Sequence, residues 1–331
     1  MPWKQRTAVD ERKAFVRAFE RKELSFSALC RHFGISRPTG YKWLQRHTEG
    51  GDSNLADQSR APLCSRGTPE PMVSAILALR QQHPTWGPKK LLKVLETQDP
   101  HLPWPARSTI GELLRREGIT QARPARRRTP PHSQPLAHVE QPNDVWSADF
   151  KGWFLCQDGT RCDPLTITDN YSRFLIRCRA VPRTDGNTVR RIFEAAFRQF
   201  GLPRSIRTDN GTPFASRGLA GLSRLSVWWI RLGIQPERID LGCPEQNGRH
   251  ERFHQTLKRE TASPPRASWS AQQEAFVRFQ KQYNEVRPHE AISLQTPASV
   301  YHPSSRTFPT HLPELVYPFA VTLRSISAAG H

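Results

Sequence analysis

The chain has 331 residues, long enough for two or three domains and for a sizeable buried core. Its 49 Lys and Arg stand against 30 Asp and Glu, a formal net charge of +19 that favours a polyanionic partner. No apolar run approaches the ~18 residues of a spanning helix, and the N-terminal residues lack the apolar stretch of a signal peptide; the chain reads as soluble, intracellular and without a membrane partner.

Residues 10–22 (DERKAFVRAFERK) place Ala14, Phe15, Ala18 and Phe19 on one helical face. The run from Ser25 to His47 predicts a short helix ending at Gly34, which supplies the positive φ of a turn. A third helix follows, capped by Ser36 with Pro38 in its first turn. Helix, tight turn and basic third helix is the pattern of a helix-turn-helix, whose last helix enters the DNA major groove. Arg37, Lys42 and Arg46 on that helix are candidate DNA contacts, beside core candidates Tyr41 and Leu44. The competing reading is a small helical bundle with a solvated basic face.

This first domain is assigned to residues 1–50, followed by a small, polar linker over 51–68. A second helix-turn-helix-like domain is expected over 69–121. Met72, Val73, Ile76, Leu77 and Leu79 mark one of its helices, Lys89 to Leu95 another, and a capping box of Thr109 and Glu112 opens a third that ends near Gly118. Residues 122–137 contain RPARRRTPPHSQP, too rich in Pro and Arg to pack a core and read as an extended, phosphate-binding linker. Arg126, Arg127 and Arg128 are its candidate DNA contacts, since the guanidinium fork binds two phosphate oxygens at once.

The texture changes in the region assigned to residues 138–302. Strands are predicted over 145–155, 163–169 and 173–181. In GNTVRRIFEAAFRQFG, Val189, Ile192, Phe193, Ala196, Phe197 and Phe200 recur at helical spacing, which makes an amphipathic helix. A short strand then reaches Asp209, and helix 218–232, strand 234–240 and helix 248–260 follow. The order describes an α/β core with a mixed five-stranded sheet and flanking helices. Residues 303–331 form a tail or a small β segment. Six scattered cysteines with no CxxC pair read as free thiols, and the twelve histidines lack the ligand spacing of a structural zinc finger.

Three carboxylates carry the chemistry: Asp149 in WSADFKG, Asp209 in RTDNGTPF and Glu251 in NGRHERFHQTLKRE. Singly each has a plain explanation: a solvated strand edge, an Asp-Asn-Gly turn, a surface helix residue. Jointly they sit at strand ends or a helix start at one end of one sheet, where ligand-binding residues gather. Two carboxylates ~4 Å apart repel by about 4 kcal/mol at an effective dielectric of 20. Convergence therefore needs a cation or the protonation of one of them, and a pair of Mg²⁺ ions both removes the repulsion and clamps an in-line phosphoryl displacement.

The motifs W146-S-A-D149-F-K-G, T166-I-T-D169-N-Y-S-R, R207-T-D209-N-G-T-P-F and N247-G-R-H-E251-R-F-H-Q-T-L-K258-R-E, closed by Y283-N-E-V-R-P-H289 and T296-P-A, resemble in order and content the DDE-type insertion-sequence transposases of the integrase-like group. The resemblance implies a ribonuclease H-like core. It makes Asp149, Asp209 and Glu251 the catalytic triad that holds two Mg²⁺ ions, with Mn²⁺ as a substitute, and it gives Lys258 a contact to transposon-end DNA. It places Asn247 and Gly248 in the loop entering the catalytic helix and gives Arg287 and His289 a structural part. Its implied partners are the terminal inverted repeats and target DNA, bound by a homo-multimer on paired ends in a bacterial cytoplasm, with no small-molecule substrate. Glu245 competes for the third position, leaving 35 residues after Asp209 where Glu251 leaves 41. Glu251 is preferred because Phe253 and Leu257 can anchor its helix. The alternatives are a DNA-binding regulator with an inactive core and a nuclease that never joins strands.

Overall fold

The computed structural model describes residues 7–58, 67–120, 139–216, 221–240, 246 and 248–313. Arg126, Arg127 and Arg128, Glu245, Asn247 and the chain beyond residue 313 lie outside the described residues. Two compact units emerge, Met1–Gly67 and Thr68–His331.

In the first unit, α1 (Ala8–Glu20) starts at a capping box in which Thr7 and Asp10 satisfy each other's backbone N–H. α2 (Phe26–His32) is capped by Ser25, and Gly34 turns the chain at a φ of 66°. α3 (Arg37–Gly50) is capped by Ser36 with Pro38 in its first turn, as expected. The core differs in detail from the sequence reading. Tyr41 is 60% exposed, while Gly40 and Trp43 take the buried positions. Gly40 is needed there because a Cβ would come within about 3.0 Å of Phe15 and Phe26 and closer still to Cys30. Phe19 is likewise exposed and Val16 buried in its stead. Gly51–Leu55, expected to open a linker, form a 3-10 turn whose Leu55 is fully buried in this core.

The second unit begins with three helices, α4 (Glu70–Gln82), α5 (Pro88–Gln98) and α6 (Arg107–Arg116), packed around Ile76, Trp86, Leu91, Ile110 and Leu114. α6 starts two residues ahead of Thr109, at a cap that makes no side-chain hydrogen bond. The expected capping box is therefore absent, and Glu112 pairs with Arg115 instead.

Six strands follow: β1 (Val145–Phe150), β2 (Phe154–Leu155), β3 (Arg161–Asp169), β4 (Leu175–Val181), β5 (Ser205–Thr208) and β6 (Gln235–Arg238). β1 pairs antiparallel with β3 and parallel with β5; β4 lies antiparallel on β3, and β6 parallel on β5. These five strands are the expected mixed sheet. The sixth, β2, arises because the predicted 145–155 strand breaks at Gly152, whose φ of 88° takes it out of β geometry.

One face of the sheet carries α7 (Gly186–Phe200) and α8 (Arg224–Arg231), with Val189, Phe193, Phe197 and Trp229 buried against Trp146, Ala148, Leu165, Ile167 and Ile206. Each buried Phe contributes about 1.5–3 kcal/mol. The other face carries α9 (Gly248–Thr261) and α10 (Trp269–Glu285), through Phe253, Leu257, Phe276 and Phe279. A single turn, α11 (Pro297–Val300), closes the element order. Residues just past it, expected as a tail, pack back on the core: Ser304 N donates to Phe200 O, and Arg306 donates to three carbonyls at Pro203, Leu232 and Gly233. The four described cysteines are free and buried, and no described helix is long and apolar enough to cross a membrane.

Candidate functional site

The site is set by register. β1 and β5 pair Val145 with Ser205, Trp146 with Ile206 and Ser147 with Arg207. Carried two residues further, the same register sets Asp149 level with Asp209, just past the end of β5. Neighbouring strands lie about 4.8 Å apart, so Asp149 and Asp209 stand at the C-terminal ends of adjacent strands. Side chains alternate faces along a strand. Because Trp146, Ala148 and Ile206 pack toward α7 and α8, Ser147, Asp149 and Arg207 belong to the face that α9 covers. Arg207 is held there by Glu237 of β6 at 3.1 Å.

α9 docks on that face by its buried Phe253 and Leu257, the anchors expected from the sequence. Its first two turns add polar contacts that the sequence reading did not anticipate. His250 and His254, one turn apart, reach the Thr166 hydroxyl with their Nε2 atoms at 2.7 and 2.8 Å. Thr166 lies directly across from Asp149 in the β1–β3 register, and its hydroxyl stands 3.1 Å from the Asp149 carbonyl oxygen. A hydroxyl has one proton to give, so at least one imidazole donates to it. Burial pushes His250 down to about 3, and burial, then His250 and Lys151, hold His254 well below the usual imidazole range. Both rings are neutral near pH 7. The approach of His254 Nδ1 to Asp149 Oδ2 at 3.9 Å is therefore a dipolar contact, not an ion pair. The spacing of two histidines four apart on a helix beside a strand threonine was the available sequence signal.

Asp209 is half-buried, and its Oδ1 accepts the Gly211 backbone N–H at 3.1 Å. Gly211 lies close beneath this carboxylate: a Cβ there would stand 3.0 Å from Asp209 Oδ2. Glu251 is exposed in the first turn of α9, about 60° around the helix from His254. Asp209 and Glu251 do not close on Asp149 as a tight group: among the described residues, Asp149, His250 and His254 are the set whose ligand atoms all lie within 4.8 Å. The Nε2 atoms of both histidines are already engaged by Thr166, and two nitrogens with one oxygen suit a transition cation better than Mg²⁺. The chemistry of the three carboxylates, hard oxygens at the ends of β1 and β5 and on α9, fits Mg²⁺ or Mn²⁺.

The candidate DNA contacts are distributed as follows. Lys258 is exposed, one turn beyond His254 on α9. Lys151, next but one to Asp149, lies close enough to it that burial and then the Lys258 charge lower the affinity of Lys151 for its proton. In the first unit Arg37 and Lys42 are exposed. Arg46 is half-buried, its guanidinium 5.0 Å over the Trp43 ring and hydrogen-bonded to Gln58.

Arg287 of the closing motif bonds Glu260 on α9 and lies 5.9 Å over the Trp86 ring between α4 and α5. Asn284, in the same motif, bonds both the N–H and the C=O of Leu175 in β4. Asp169, in the second motif, is buried and accepts three bonds from Asn143 and Ser172. These motif residues build the frame around the carboxylates.

Residues 139–244 match one integrase core domain family and residues 232–297 another. Residues 11–62 match a helix-turn-helix domain family and 39–114 a homeodomain-like domain family. The chain is 28% identical to the insertion element IS476 uncharacterized 39.2 kDa protein of Xanthomonas euvesicatoria, over 87% of this chain and 75% of that one. It is 27% identical to the insertion element IS407 uncharacterized 31.7 kDa protein of Burkholderia multivorans, over 75% and 87%. Its identity to the InsD transposase for insertion element IS2 of Escherichia coli is also 27%, over 48% of this chain and 53% of that one. Among solved structures, the HTLV-2 integrase catalytic core domain in complex with magnesium is similar at 17% identity and a TM-score of 0.39, over 49% of this chain and 98% of that one. The chain thus carries an integrase core domain behind helix-turn-helix segments, and it is similar to insertion-element proteins and transposases.

Proposed function

We propose that the protein binds the terminal inverted repeats of its insertion element and catalyses metal-dependent cleavage of the element ends and their joining to target DNA. Asp149, Asp209 and Glu251 are the catalytic carboxylates. The observation that carries this reading is the β1–β5 register, which sets Asp149 and Asp209 level on the face covered by the helix bearing Glu251. Two bound Mg²⁺ ions would supply Lewis-acid activation of the phosphodiester and of the attacking water or 3′-hydroxyl.

The chain's own residues do the rest. Thr166, His250 and His254 fix α9 against β1 and β3, which holds the Glu251 backbone beside Asp149. The exposed Glu251 side chain keeps the rotamer freedom to meet the ions. Lys258 and Lys151 place positive charge along the approach of the DNA phosphates, and Arg37 and Lys42 of α3, with Arg126, Arg127 and Arg128, contact the flanking DNA. Assembly of several copies on paired ends belongs to the same reading.

The test is cleavage and joining of duplexes copied from the element's boundaries, with Mg²⁺, by wild type and by Asp149→Asn, Asp209→Asn and Glu251→Gln. Each substitution is expected to remove both products while end binding persists. Joining at the wild-type rate by any of the three overturns its assignment. Cleavage by wild type without joining would mark a nuclease, and neither reaction a DNA-binding regulator.

A further inference from the structure

Just past Asp149 the chain leaves β1 through Lys151, Gly152 and Trp153 before entering β2. Trp153 is 59% exposed, the most exposed indole among the described residues. An indole that could bury 150–250 Å² and does not is an unspent contact surface. It is not loosely hung. The Arg161 guanidinium lies 5.1 Å over the ring, and Arg161 is itself held by two bonds of 2.7 and 2.9 Å to the buried Asp163. The ring is thus propped from one face and open on the other.

Lys151, two residues before it and two after Asp149, lies 5.6 Å over the ring of the adjoining Phe154. An aromatic plane with cations alongside is the arrangement that holds unpaired nucleotides, base on ring and phosphate on cation.

We propose that Trp153, backed by Arg161 and preceded by Lys151, is a stacking platform for an unpaired nucleotide near the scissile phosphate, so that the protein prefers an opened DNA end to a closed one. This rests on the reading of Asp149 as a catalytic carboxylate. The probe is a duplex ending in three unpaired thymidines with 2-aminopurine among them, compared with the same duplex blunt, bound to the full-length chain. Wild type should bind the overhanging duplex roughly tenfold more tightly and quench the 2-aminopurine emission. Trp153→Ala should erase preference and quenching, and Trp153→Phe should keep most of both, which separates loss of stacking from misfolding.

The proposal is overturned if wild type binds both duplexes alike, if Trp153→Ala keeps the preference, or if Trp153→Ala alters only self-association, which would assign the indole to a second copy of the chain. Asp149→Asn separates this outcome from the metal reading: it should abolish cleavage yet retain the overhang preference, and cleavage by Asp149→Asn would sink the metal reading while leaving the binding result in place.

Discussion

At the scale of single residues, the densest contact near the carboxylates is the Thr166 hydroxyl, shared by His250, His254 and the Asp149 carbonyl. Removing it leaves two buried imidazole nitrogens without a partner, and an orphaned buried polar group costs about 1–3 kcal/mol. Thr166→Val should therefore lower stability by about that amount in denaturant titration, whereas Thr166→Ser should lose little. A larger loss in Thr166→Ser than in Thr166→Val would show that the methyl, not the hydroxyl, is what matters. The same residue shows why the joint escaped the sequence reading. Thr166 reads as an ordinary β-branched strand residue, and His250 and His254 read as polar helix positions; only the docking of α9 on the sheet brings the three together.

At the scale of elements, α7 was fully legible because its apolar residues recur at 3.6-residue spacing and end at Gly201. So was the Ser36 cap of α3. Tyr41 was misplaced because an aromatic on a short helix reads as core, while the burial of Gly40 depends on how closely α1 and α2 approach it. The joint that ties the three-helix segment to α9, α10 and the closing motif was equally hidden. It consists of Arg287 bonded to Glu260, Gln282 bonded to His83 at 2.8 Å, and Lys89 paired with Glu290 at 2.8 Å. Arg287 and Glu260 side chains are only 9% and 15% exposed. Removing one partner of such a pair strands a buried charge, at a cost of about 3–5 kcal/mol. Arg287→Met should show that loss by denaturant titration, and Arg287→Met with Glu260→Met should recover most of it. A double variant as unstable as the single would mean that packing on Trp86, not charge pairing, dominates.

At the scale of the whole molecule, the excess of 49 Lys and Arg over 30 acids gives DNA affinity a steep electrolyte dependence. Each neutralised phosphate adds about −0.9 to the slope of log affinity against log salt. Lys258→Ala should make that slope shallower by about one, measured by anisotropy on duplex DNA, and an unchanged slope would remove Lys258 from the phosphate contacts. The mixed α/β sheet was readable from the alternation of strand and helix, but the placing of Asp149 and Asp209 at the ends of adjacent strands required the parallel pairing of strands some sixty residues apart, which no local pattern carries. The account stands on those acids sharing metal. Counting Mn²⁺ ions bound per chain by electron paramagnetic resonance, with end duplex present, tests it most directly. Two ions in wild type and fewer in Asp149→Asn, Asp209→Asn and Glu251→Gln are predicted; two ions retained in all three variants would contradict it.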